Sequence, residues 1–170
     1  MARHARAMAR HAATETPHVS VIVLVYNEVD SVEPLHRELM GVLDAIGTSF
    51  EVLYIDDGSR DGSNEKLGQI AARDERVRVV SFRRNFGRTA AVQAGIDHSR
   101  GAVLVFLDGD MQNDPHDIPH LLQKIDEGYD VVSGWRRDRR DDASRVIPSK
   151  IANWVIARVT GVQLSDLAAR

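Results

Sequence analysis

The chain has 170 residues, 43% of them hydrophobic and 28% charged, with a formal net charge of -3 and no cysteine. That size and apolar content suffice for one globular domain with its own core. The slight net acidity argues against non-specific nucleic-acid binding, the missing thiols exclude a disulfide framework or a thiolate metal site, and no apolar run approaches the roughly 20 residues needed to cross a bilayer.

Residues 1–18, MARHARAMARHAATETPH, are rich in Arg, Ala and His, show no large apolar face, and read as a disordered basic arm outside the fold. The run at 19–26, VSVIVLVY, reads as a buried parallel strand, and Asn27-Glu28 stops it. Ser31 can cap the next helix and Pro34 suits its first turn. Val32, Leu35, Leu39, Val42, Leu43 and Ile46 recur at helical spacing until Gly47 ends it. A second strand at 50–55 leads through DDGSRDGS into a weaker helix at 63–73, with Leu67, Ile70 and Ala71 inward and Gly68 lowering its propensity. A third strand at 77–82 is followed by the basic, glycine-containing loop Arg83 to Arg88 and a helix at 89–98.

The fourth strand, 103–107, stops abruptly at Asp108-Gly109-Asp110. After Pro115, Asp117 is the expected cap of a helix whose apolar residues are Ile118, Leu121, Leu122 and Ile125, closed by Glu127-Gly128. A short fifth strand at 130–133, the charged stretch WRRDRRDDASR, and a helix at 148–160 carrying Ile151, Trp154, Val155 and Val159 complete the chain. Strands alternating with helices across short polar connections predict a doubly wound, mostly parallel α/β sheet of the Rossmann-like kind, over one domain at 19–170.

Two strands therefore end in paired acids, Asp56-Asp57 and Asp108-Gly109-Asp110. Acidic turns are ordinary capping chemistry, and either pair alone would be read that way. Together they make a shared acidic rim at the carboxyl ends of parallel strands, where open α/β sheets bind ligands, and closely spaced hard oxygens there suit Mg²⁺ or Mn²⁺. The seven histidines show no metal-ligand spacing. His116 and His120 lie one helical turn apart, but Pro119 stands between them and no third ligand accompanies them, so they read as surface residues.

The loops taken together resemble one family, the inverting family 2 glycosyltransferases with the GT-A fold, which move a sugar from a nucleotide-sugar donor. The resemblance rests on VYNE at 25–28, DDGSRDGS at 56–63, RNFGR at 84–88, LDGDMQNDP at 107–115 and EGYDVVSGWRRDRRD at 127–141, and spans 19–166. The pairing of RNFG with DGDMQNDP is similar to the polyprenyl-phosphate branch, which includes dolichyl-phosphate mannose synthase and undecaprenyl-phosphate sugar transferases. Leu24 stands where the family often has Pro, a departure that touches strand-end shape more than chemistry.

The resemblance implies a division of labour that the residue chemistry supports. Tyr26 offers a flat face to a nucleobase, while Glu28 and Asp57 can accept hydrogen bonds from its N–H groups, reading uracil or guanine. Asp110 is the expected first metal ligand. Asp108 orients the donor's ribose or sugar at the catalytic centre or shares the ion, and Gln112 completes the shell with a neutral oxygen. Asn113 and Asp114 read as supporting or turn-forming residues. The loop carrying Asn85 has a glycine that permits close backbone approach and precedes a helix whose N-terminal dipole favours anions, so it could help hold the donor; a basic surface turn over a packed Phe86 is the equal alternative.

By the same resemblance Arg136 and Arg145, with the Ser149 hydroxyl, face the acceptor phosphate, and Asp166 matches the family's late catalytic aspartate. After Asp166 the family pattern continues where this chain reads LAAR, so donor binding without efficient transfer is expected, the acceptor half lacking its end. The implied partners are a nucleotide-sugar donor and a polyprenyl-phosphate lipid acceptor, with no nucleic acid, and the implied location is the cytoplasm or the cytoplasmic face of a membrane. Two alternatives stay open: transfer to a sugar or protein hydroxyl, which would require a general base, and a nucleotide-binding remnant without turnover. A phospho-acceptor receiver domain is disfavoured, because its acidic pair would follow strand one and a Lys strand five, where this chain has Asn27-Glu28 and Ser133-Gly134.

Overall fold

The computed structural model describes residues 16–134. The described residues as far as Pro119 form one compact unit, and those from His120 belong to a second. In chain order the elements are β1 (Val19–Val25), α1 (Val32–Ile46), β2 (Phe50–Asp56), α2 (Ser63–Ala71), β3 (Val77–Ser81), α3 (Arg88–His98), β4 (Val103–Asp108), a 3₁₀ turn (Pro115–Asp117) and α4 (Ile118–Asp126).

The four strands form one parallel sheet in the order β3-β2-β1-β4. The two central strands are the most buried, as their apolar runs VIVLV and VLYI require. From β1 the chain winds outward through β2 to β3, then returns to place β4 on the other side of β1. That reversal sets a switch point between β1 and β4, and a crevice at the carboxyl ends of such strands is the general ligand position of open α/β sheets. Register brings the loops level: Val25 pairs with Asp56 and Leu24 with Asp108.

Helix α1 buries Val32, Leu35, Leu39, Met40, Val42 and Leu43 along one stripe, and Gly47, with φ 73°, closes it in the left-handed conformation a glycine adopts at no steric cost. Ser31 holds the cap position, but its backbone is already helical, and its hydroxyl donates instead to Glu28 Oε2 at 3.2 Å. On the opposite pole of the sheet, where the strands begin, Glu51 is buried. Its Oε1 accepts from Ser20 Oγ at 2.7 Å and the Arg100 backbone N–H at 2.8 Å, and its Oε2 from Arg100 Nε at 2.9 Å and an Arg78 guanidinium nitrogen at 3.1 Å. One carboxylate thus ties together β1, β2, β3 and the turn leading into β4.

Three expectations need correction. His18 belongs to the fold rather than to the arm, because its N–H donates to the Ser49 carbonyl and its own carbonyl accepts from Val103 N–H. The 3₁₀ turn before α4 is capped by Asp114, whose Oδ1 accepts the His116 N–H at 2.8 Å, and not by Asp117. Pro115 occupies the first helical position, so the cap falls one residue before it. Residues 130–133 form no strand, since a strand exists through its ladder and this short apolar pair finds no partner among the described residues; Val131 is largely exposed. The end of α4 at Gly128, with φ 100°, is as expected. The expected helix at 148–160 and residues 1–15 of the arm lie outside the described residues. Among those described, no helix is long and apolar enough to cross a membrane.

Candidate active site at the carboxyl ends of the strands

The loop after β1 is tied to the loop after β2 by side chains answering backbone N–H groups. Asn27 N–H donates to Ser59 Oγ at 2.9 Å, and Asn27 Oδ1 accepts from Arg60 N–H at 2.9 Å. Glu28 N–H donates to Ser63 Oγ and Val29 N–H to Asp61 Oδ2, both at 2.9 Å. Burial alone would raise the Asp61 carboxyl, but hydrogen bonds from the Ser63 side chain and from the Val29 and Ser63 N–H groups hold it below the ordinary range. The result leaves Tyr26, at 45% exposure, standing open at the end of β1, with Glu28 half-buried beside it in sequence.

The two acids ending β2 have separate tasks. Asp56, fully buried, closes its own turn by accepting from Ser59 N–H at 3.0 Å and Asn64 Nδ2 at 2.8 Å. Asp57 does not cap the next helix. Its oxygens accept from Phe86 N–H at 2.7 Å and Gly87 N–H at 2.9 Å, thirty residues on, so it grips the RNFG loop. Gly58 makes that grip possible, because a Cβ there would meet the Arg84 carbonyl carbon at 2.4 Å and Asn85 N at 2.8 Å. Phe86 is packed edge-on to Phe82 with centroids 5.7 Å apart, and the Arg84 guanidinium lies 4.8 Å above its ring, yet Phe86 stays mostly exposed. Asn85 is also exposed on this loop.

At the end of β4, Gly109 N–H donates to the Leu24 carbonyl at 2.8 Å, and a Cβ at 109 would stand 2.9 Å from that same oxygen. Glycine between the two acids therefore lets the turn lie directly against β1. Asp110 Oδ1 accepts the Gln112 N–H at 3.0 Å, which fixes its carboxylate. Met111 and Asn27 have φ of 59° and 57°, the non-glycine residues in left-handed conformation among those described. Both sit in the two loops flanking the switch point, where such strain of about 1 kcal/mol or more is typically kept for function.

Asp108, Asp110 and Gln112 offer two carboxylates and a neutral amide oxygen, the hard donor set that Mg²⁺ or Mn²⁺ prefers. In the same turn the buried Asn113 Oδ1 has no hydrogen-bond partner among the described residues, an acceptor left over for a cation or a donor N–H. The residues present fit a divalent ion. Asp108 additionally pairs with Arg88, whose guanidinium lies 2.6 Å from its Oδ1. Arg88 and Asp61 carry no signal in sequence beyond lying inside RNFGR and DGSRDGS. His116 is exposed but not isolated: its Nδ1 lies 2.8 Å from Asp114 Oδ1 and 3.5 Å from Glu38 Oε1. Arg136, Arg145, Ser149 and Asp166 fall outside the described residues.

A parallel α/β sheet, with acidic loops on both sides of a central strand that ends at an open tyrosine, has the architecture of the GT-A fold. The mannosyltransferase PcManGT from Pyrobaculum calidifontis, solved in complex with GDP-Man and Mn²⁺, shares this fold, with a TM-score of 0.51 over 62% of this chain and 31% of that one at 24% identity. Residues 20–165 match Glycosyl transferase family 2, and the chain belongs to that family.

Among curated relatives, the undecaprenyl-phosphate 4-deoxy-4-formamido-L-arabinose transferase of Edwardsiella ictaluri is 42% identical over 149 residues, 87% of this chain and 46% of its own length. The transferase of the same name from Pseudomonas paraeruginosa is 44% identical over 149 residues, 87% of this chain and 44% of its own length. The chain thus spans less than half the length of these relatives.

Proposed function

We propose that this domain transfers a sugar from a UDP- or GDP-sugar to a polyprenyl phosphate at the cytoplasmic face of a membrane, with metal-assisted departure of the nucleoside diphosphate. The observation that carries the reading is the placing of β1 between β2 and β4, which sets the open Tyr26 between the Asp57 and Asp108-Asp110 loops. The relatives' acceptor, named as undecaprenyl phosphate, supports the lipid assignment.

Tyr26 stacks on the base. Glu28 and the acceptor positions left on Asp57 take its N–H groups. Asp57 acts a second time by fixing the loop of Asn85 and Gly87, whose glycine lets backbone approach the donor. Asp108 orients the ribose or sugar. Asp110 and Gln112, with Asp108, would hold Mg²⁺ or Mn²⁺, which when bound neutralises charge building on the leaving diphosphate. Arg136, Arg145 and Ser149 would receive the acceptor phosphate and Asp166 would stand beside it. An acceptor that is already anionic needs no strong general base, in contrast to a sugar hydroxyl.

The test is titration calorimetry of UDP and GDP, with and without Mn²⁺, on the chain and on Asp110→Ala. The expected outcome is metal-dependent binding of one nucleotide that the substitution abolishes. Nucleotide binding that ignores both Mn²⁺ and Asp110 would overturn the metal assignment, and no binding of either nucleotide would overturn the reading as a whole. Donor consumption with a short polyprenyl phosphate, set against consumption with a free sugar, decides the acceptor class.

A further inference from the structure

Arg88, the partner of Asp108, has no part in the chemistry above, and its position gives it one. Arg88 is the first residue of α3, directly after Gly87, whose N–H is held by Asp57. From there its guanidinium reaches Asp108 at the end of β4 at 2.6 Å, while β1 lies between β2 and β4 in the sheet. Asp57, the 86–87 backbone, Arg88 and Asp108 therefore form one continuous series of polar contacts linking the ends of β2 and β4. The pair is partly open to water, with side-chain exposures of 53% for Arg88 and 27% for Asp108.

Those exposures make it a reversible contact. An ion pair this wet contributes little to stability, so a better partner for either member displaces it. Guanidinium has such a partner in a diphosphate, which it binds through two parallel hydrogen bonds. A carboxylate already facing a guanidinium is a poorer ligand for a cation, because part of its charge is compensated.

From this we infer that Arg88 is a donor-binding residue that couples diphosphate to metal, an inference resting on the nucleotide-sugar reading of the site. Without donor, Arg88 occupies Asp108 and depresses the affinity of the Asp108-Asp110 turn for a lone divalent ion. With donor, the guanidinium moves to the diphosphate, and Asp108 regains its full charge beside the ion. Metal and nucleotide then strengthen each other's binding by the same factor, as linkage requires.

The experiment compares the whole chain with Arg88→Gln and Arg88→Lys in two separate measurements: Mn²⁺ alone, followed by the electron paramagnetic resonance of the free ion, and UDP or GDP at saturating Mn²⁺, followed by calorimetry. Arg88→Gln should bind Mn²⁺ alone several-fold more tightly and the nucleotide about tenfold more weakly, and Arg88→Lys should restore most of the nucleotide affinity. Opposite shifts are the signature, since a merely structural role would weaken both. Shifts in the same direction, or none, with nucleotide binding intact in the parent chain would overturn the coupling role alone. If the parent binds neither UDP nor GDP with Mn²⁺, the nucleotide-sugar reading falls first and this inference with it.

Discussion

Replacing Glu51 by Gln keeps the volume of the buried side chain and removes only its charge and one acceptor. The Ser20 hydroxyl and the Arg100 N–H can still donate to the amide oxygen, but the new NH₂ group faces Arg78 and Arg100, which are donors themselves. The two guanidiniums are 36% and 52% exposed and turn to water at modest cost, so each lost charge-assisted contact is worth about 1 kcal/mol rather than the 3–5 of a fully buried pair. With roughly 1 kcal/mol more for an amide donor facing other donors, the destabilisation should be about 2–3 kcal/mol near neutral pH.

Its pH dependence has a definite sign. Burial acts to raise the Glu51 carboxyl, but hydrogen bonds from Ser20, Arg100 and Arg78 outweigh it and hold the group below its ordinary value of 4.5. A depressed acid contributes stability that is fully present above the unfolded-state value and is lost as pH falls through the folded one. Urea unfolding at about pH 7 and about pH 3 should therefore show a gap between parent and Glu51→Gln that is wide at the higher pH and narrows at the lower. A gap that stays constant with pH, or one under about 1 kcal/mol at neutrality, would show that the Glu51 charge does not tie the strands together. Because Glu51 lies at the pole where the strands begin, metal-dependent nucleotide affinity of the folded variant should be unchanged.

Gly58→Ala should cost about 2–4 kcal/mol, from a left-handed backbone at φ 73° and a Cβ placed 2.4 Å from the Arg84 carbonyl carbon, and should weaken nucleotide binding by displacing the 84–87 loop. Thermal unfolding within about 0.5 kcal/mol of the parent would mean that the two loops separate freely. Tyr26→Ala should weaken UDP or GDP by about 1–3 kcal/mol through loss of stacking, with stability unchanged because the ring is open to solvent; equal calorimetric affinity would remove the base from Tyr26. Arg136→Glu with Arg145→Glu should raise the apparent KM for polyprenyl phosphate far more than that for the donor sugar, and an unaltered acceptor dependence in a transfer assay would return those arginines to the solvated surface.

The sequence by itself determined the order of elements and the placing of chemistry at strand ends. Runs such as VSVIVLV can be satisfied only inside a sheet covered on both faces, and acids that interrupt such runs must fall at its edge. The same local logic failed where a choice depended on a neighbour: the two valines at 131 and 132 suit a strand but have no ladder among the described residues, and Asp114 rather than Asp117 caps the turn because Pro115 fixes where the helix can begin.

What only the tertiary structure decided is which acid does what. Asp56 and Asp57 are adjacent and chemically identical, yet one closes its own turn and the other reaches the 86–87 backbone, because β3 and its loop pack beside β2 and not elsewhere. Arg88 meets Asp108 across 20 residues for a like reason: the crossover through α3 carries the chain from one side of β1 to the other. Hydrophobic periodicity is written locally and survives in the sequence. A hydrogen bond between distant loops depends on the order in which the strands pair, and that order is settled by the packing of the whole sheet.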